Sequence, residues 1–189
     1  MTTTPNVPEP PLVCLPAGKG RTVEALHVLA WRDLLERRPG SLQALAEQAA
    51  RQMDATAAGL SEDSMIALGG ACRSDLFVTC NECHGDRAVI EIKGPTAKLN
   101  WLSSHDAWQT VRYRETYQAN RALACHHHRG VPAPLLILLD ARNRSRQIIE
   151  QTEGANEPAL DGWAVLTYQE VLSSAPFADH SLARWLLGR

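Results

Sequence analysis

The chain has 189 residues, 44% of them hydrophobic and 21% charged, and a net charge of −2. That length suits one sizeable core and is short for two, while the lack of any run of about 18 apolar residues excludes a membrane-spanning helix. The opening MTTTPNVPEPPLVCLPAG has no basic stretch leading into an apolar one, so a cytoplasmic protein without a secretory leader is expected.

In chain order, residues 1–18 are rich in Pro and Thr and predict a flexible arm, followed by one domain over 19–189 with its core at about 41–170. From Thr22, TVEALHVLAWRDLLERRPG places Val23, Leu26, Leu29/Ala30 and Leu34 at helical spacing and stops at Pro39-Gly40. Ser41 is placed to cap a second helix, LQALAEQAARQMDATAAG, ending near Gly59. SMIALGG, DLFVT and AVIEIK then read as three strands of a meander. From a Ser104 cap to Gly130 the pattern predicts a long helix, and APLLILLDA has the continuous apolar run of a buried strand. WAVLTYQEVL predicts a strand running into a short helix, and DHSLARWLL a terminal helix. The expected fold class is α/β, with IEIK and LLILLD as parallel neighbours joined by a right-handed helical crossover.

Charge is unevenly spread. Lys+Arg against Asp+Glu stands at 8 against 12 for residues 1–92, 9 against 3 for 93–146, and 2 against 6 for 147–189. A basic middle between acidic flanks is what a phosphate backbone requires. Lys98, Arg112 and the alternating Arg142, Arg144 and Arg146 are the candidate phosphate contacts.

Glu91 and Lys93 alternate with Ile90 and Ile92, so they share one face of a strand that is otherwise apolar. Burying them requires compensation by an ion or a ligand. Asp75 opens the preceding antiparallel strand and should lie beside the end of IEIK. Two carboxylates and an ammonium suit Mg²⁺ or Mn²⁺ and phosphoryl chemistry.

The order αβββαβ with Asp75, a spacer and Glu91-Ile92-Lys93 resembles the PD-(D/E)XK nuclease superfamily, with Arg73-Ser74-Asp75 where the family has Pro-Asp. Gln109-Thr-Val-Arg-Tyr113 resembles the Gln-x-x-x-Tyr motif of its RecB-like branch, and VLTYQEVL is similar to the ending of Shedu-like defence nucleases. The resemblance implies a restriction-endonuclease-like core, a mixed sheet flanked by helices. It also implies metal-dependent hydrolysis of phosphodiester bonds, in DNA rather than RNA, in defence, restriction or repair. Asp75, Glu91 and the Ile92 carbonyl would hold the metal, Lys93 would orient or activate water, and Gln109 and Tyr113 would steady water and the DNA backbone. Glu47 stands where some members add a carboxylate, though a solvated helix position explains it as well. Partners would be nucleic acid and a homodimer or larger nuclease complex, with no membrane. The other reading is a catalytically inactive nucleic-acid-binding or assembly module on the same fold.

Five cysteines, two of them in Cys80-Asn-Glu-Cys83 and one in Cys125-His-His-His128, are unlike a secreted disulfide framework. The Cys80–Cys83 turn lies at the far end of the hairpin from IEIK's terminus, and the crossover helix should end at that same pole. Cys80, Cys83, Cys125 and His128 are therefore the expected ligands of a structural tetrahedral Zn²⁺.

Overall fold

The computed structural model describes residues 21–53, 64–69, 74–96, 114–115, 134–142, 147, 160 and 162–188. Helices α1 (Arg21–Arg37) and α2 (Ser41–Gln52) precede strands β1 (Ser64–Leu68), β2 (Leu76–Cys80) and β3 (Asp86–Lys93). Strands β4 (Leu135–Asp140) and β5 (Trp163–Thr167) follow, then helices α3 (Tyr168–Leu172) and α4 (Ser181–Leu186). The class is α/β, with one five-stranded mixed sheet in the order β1-β2-β3-β4-β5. The first three strands form an antiparallel meander; β3/β4 and β4/β5 are parallel. The arm and most of the expected crossover helix lie outside the described residues, where only Arg114 and Glu115 are seen, both helical.

Each face of the sheet carries its own apolar cluster. Ile90, Ile92, Ile137, Leu139, Ala164 and Leu166 pack with the helices. Phe77, Val89, Leu136, Leu138, Trp163 and Val165 pack together on the opposite face. Alternation along the strands thus puts Glu91, Lys93 and Asp140 on the face away from α1 and α2. All six side chains of β4 are buried, as its unbroken apolar run requires.

Three details of the helices depart from expectation. The buried stripe of α1 is Val28, Ala30, Trp31, Leu34 and Leu35, whereas Leu26 and Leu29 are exposed. The helix is rotated because Trp31, fully buried, sets its phase by edge-on contacts with Tyr168 and Phe177. Ser41 does not cap α2. Gly40 takes that position at φ 78, and the Ser41 hydroxyl turns back to the Leu34 and Leu35 carbonyls at 3.0 and 3.3 Å, satisfying the end of α1. α2 stops at Gln52, short of Gly59, because its apolar stripe ends at Ala50 and the half-buried Met53, which forms the C-cap. At the other end of the chain α3 begins with a capping box between Thr167 and Glu170.

Between β1 and β2 the backbone makes a contact that only glycine permits. A Cβ on Gly69 would overlap the Ser74 carbonyl oxygen and press on the Phe77 ring, and the Gly69 N–H donates to the Asp75 carbonyl at 2.8 Å. Backbone cannot yield as a flexible side chain does. Gly69→Ala is therefore expected to lose roughly 3 kcal/mol or more of stability. Gly40→Ala meets open space and is strained only by its positive φ, so it should lose about 1–2 kcal/mol. Urea denaturation of both variants checks the contrast.

Candidate functional site

The C-terminal ends of β3 and β4 carry buried charge. Glu91 and Lys93 are 4% and 7% exposed, and Lys93 Nζ donates to Glu91 Oε1 at 2.8 Å. They lie inside the protein rather than in an open polar cleft, with the buried apolar Leu138 of β4 in register with Glu91. Lys93 is in register with Asp140, and Asp140 with Thr167. Asp140 is fully buried, and its Oδ1 accepts from the Arg142 backbone N–H at 3.2 Å and from Arg142 Nε at 2.9 Å. Two ion pairs therefore stand on neighbouring strands.

Asp75 belongs to the same group. It precedes β2, and the register Leu76↔Ile90, continued one step, brings it opposite Glu91 on the same face. Its Oδ2 accepts the Ile92 N–H at 2.7 Å, which ties the β2 entry to the end of β3. Burial, the neighbouring Glu91 charge and, more weakly, Glu24 push the Asp75 carboxyl up to about 8, against the opposing pull of the Ile92 hydrogen bond and Lys93. Among the described residues Asp75 forms no ion pair.

Helix α1 adds side chains that the motif reading did not find. The backbone and Cβ of Glu24 lie over Gly94, the residue after β3, and its charge acts on both Asp75 and Tyr168. One turn on, His27 Nδ1 is 3.2 Å from the Tyr168 hydroxyl. Burial lowers the His27 pKa and raises that of Tyr168, so both are neutral at physiological pH. No short-range pattern ties residues 24 and 27 to a strand end nearly seventy positions away. Asp140 did have a signal: it is a charge closing the apolar run of a parallel strand, at the strand end where α/β sheets place their ligands.

The other expected site residues divide as follows. Arg142 is described, but it is held by Asp140 with a side chain 7% exposed, so it is no open phosphate clasp. Glu47 is exposed and accepts from Gln43 Nε2 at 2.8 Å, in keeping with a solvated helix position. Lys98, Gln109, Arg112, Tyr113, Cys125, His128, Arg144 and Arg146 lie outside the described residues. Cys80 and Cys83 stand at the opposite end of β3, Cys80 buried and Cys83 partly so.

Among the described residues no three His, Cys, Asp or Glu side chains are grouped so as to hold a metal ion. The pole offers two carboxylates and the Ile92 carbonyl. Hard oxygen donors of that number fit Mg²⁺, which is commonly held by one or two carboxylates and completes its shell with water and substrate oxygens. Burial raises Asp75 most, and the added repulsion from Glu91 is what a divalent cation would relieve. Among the described residues no helix is long and apolar enough to cross a membrane. Comparisons with family models, curated proteins and solved structures found no match.

The Asp75 carboxyl gives metal-free protein a distinctive pH response. Its native pKa of about 8 lies above the ordinary 3.8, so between these values the native state holds a proton that the unfolded state has lost. The contribution of Asp75 to stability is full below about pH 4 and has gone above about pH 8. The upper limit of that loss is on the order of 5 kcal/mol, reduced by the residue's remaining contact with solvent. Asp75→Asn keeps an acceptor for the Ile92 N–H and removes the charge. It should flatten this decline and be the more stable form at pH 8, as measured by urea denaturation in EDTA.

Proposed function

We propose that the chain is a metal-dependent nuclease hydrolysing phosphodiester bonds, in DNA, in a defence, restriction or repair setting. The observation that carries this reading is the convergence at one strand end: Glu91 and Lys93 in buried contact at 2.8 Å, with Asp75 fastened to the intervening Ile92 N–H. The resemblance of Asp75…Glu91-Ile92-Lys93 to the PD-(D/E)XK pattern adds the chemistry.

In this reading Asp75, Glu91 and the Ile92 carbonyl hold Mg²⁺ or Mn²⁺. When bound, the ion supplies a Lewis acid that offsets charge on the phosphate and acidifies water. Lys93, positioned by Glu91, would face the oxygens that gain charge as the phosphodiester is attacked. Burial makes that interaction effective, because few waters remain to screen it. Tyr168 and His27, both neutral, add dipoles but no further charge to the rim. The resemblance assigns Gln109 and Tyr113 to orienting water and the nucleic-acid backbone.

The test is cleavage of supercoiled and linear duplex DNA, single-stranded DNA and RNA with Mg²⁺ or Mn²⁺, set against EDTA. Wild type should cut only with metal, and duplex or single-stranded DNA should be cut faster than RNA. Glu91→Gln and Lys93→Met preserve shape and should each lower the rate at least about 100-fold. Both positions are buried, so each variant is first checked for a native melting transition; leaving a buried partner unpaired costs roughly 3–5 kcal/mol. Undiminished cutting by either folded variant overturns the assignment. Wild type inert on all four substrates, yet binding them, favours the non-catalytic module.

A further inference from the structure

The Cys80–Cys83 turn is built independently of the charged pole and is unused by the proposed hydrolysis. β3 runs eight residues from Asp86 to Lys93, so the turn stands about 23 Å from the Lys93 end. Cys80 closes β2 and is fully buried; its N–H donates to the Gly85 carbonyl at 3.0 Å, and its carbonyl accepts the His84 N–H at 2.9 Å. These two bonds close a tight loop over Asn81–His84. Inside it His84 takes the left-handed conformation at φ 56, where glycine is the usual residue. That conformation aims the next N–H, of Gly85, at Cys83 Sγ, 3.4 Å away.

A backbone N–H directed at sulfur is the contact by which a peptide group orients and supports a sulfur ligand of a metal. Cys80 and Cys83 are not joined in a disulfide. The chain also re-enters the sheet beside this turn: Leu135, the first residue of β4, is in register with Ala88 near the start of β3. From these observations we infer that the Cys80–Cys83 turn is the two-thiolate half of a structural site for a soft, tetrahedral metal ion of the Zn²⁺ class. Two thiolates separated by two residues occupy two corners of a tetrahedron with Zn–S near 2.3 Å, and their sulfurs exclude the hard cations suited to Asp75 and Glu91. Binding displaces one proton from each thiol as each Zn–S bond forms, with no change of oxidation state. Cys125 and His128, expected from sequence to complete the shell, lie outside the described residues, and the inference rests on the turn alone.

The experiment uses the full chain, purified without chelator or metal-affinity tag. Elemental analysis should find about one zinc per chain. Replacement by Co²⁺ should give a sulfur-to-metal charge-transfer band of an intensity corresponding to two or more thiolates. Cys83→Ser, at a half-buried position that tolerates the change, should lower zinc occupancy at least tenfold in a zinc-buffered solution. Cys80→Ser should do the same if it folds. Both should lower the melting temperature, whereas Glu91→Gln should keep its zinc. Metal-free protein with both thiols reactive, a cobalt spectrum with fewer than two thiolates, a Cys80–Cys83 disulfide, or zinc unchanged in Cys83→Ser overturns the inference. The readouts are independent of cleavage, so failure of the nuclease reading would leave them intact.

Discussion

Removing two opposite charges from water on a strand that is otherwise apolar is the constraint around which this molecule is arranged. Glu91 and Lys93 cannot be buried singly without a large cost; each has the other within hydrogen-bond distance, at 2.8 Å. Hydrophobic side chains of similar volume would serve stability at least as well. The neighbouring strands repeat the device, with Asp140 and Arg142 paired at the end of β4. Asp75 goes further, since it is buried in this region with a backbone N–H donating to it and, among the described residues, no ion pair of its own. A fold optimised for stability alone would have little reason to collect such groups at one rim.

The backbone around the rim is correspondingly over-determined. Asp75 is held from one side by the Ile92 N–H, and through its carbonyl by the Gly69 N–H on the other. Lys93 is pinned through its own carbonyl, which accepts the Ala141 N–H at 2.9 Å just beyond β4. Beneath the sheet, Trp31, Tyr168 and Phe177 lock α1 to the C-terminal helices, and this brings the first turn of α1, with Glu24, over Gly94. The apolar core on the helix side thus fixes the height of the rim, while the charges occupy the opposite face. Packing and chemistry are divided between the two sides of one strand, as alternation allows.

That alternation explains why the strands were legible in the sequence and the helix phases less so. SMIAL, LFVTC and LLILLD carry their periods locally, and parallel pairing of β3 with β4 follows from the length between them. The Glu91/Lys93 pair was legible for the same reason. Its depth was not, because the flanking walls come from strands distant in sequence. Leu26 and Leu29 look as apolar as Val28 and Trp31, and only packing against Tyr168 selects which of them face inward. Ser41 misled for a chemical reason: a hydroxyl after Pro-Gly is a good cap for the next helix, but the left-handed Gly40 took that place and freed the hydroxyl to serve the previous one.

The two ends of β3 also separate donor chemistries. Carboxyl oxygens at the Lys93 end are hard donors, and sulfurs at the Asp86 end are soft ones. A single rigid strand, paired on both sides and buried for most of its length, keeps the sites apart at fixed distance. It also couples the two ends: whatever tightens the hairpin turn restrains the register that places Glu91 opposite Asp75. A one-residue slip of β2 against β3 would send Asp75 to the helix side of the sheet, away from Glu91, so whatever holds that hairpin in register holds the charged rim together.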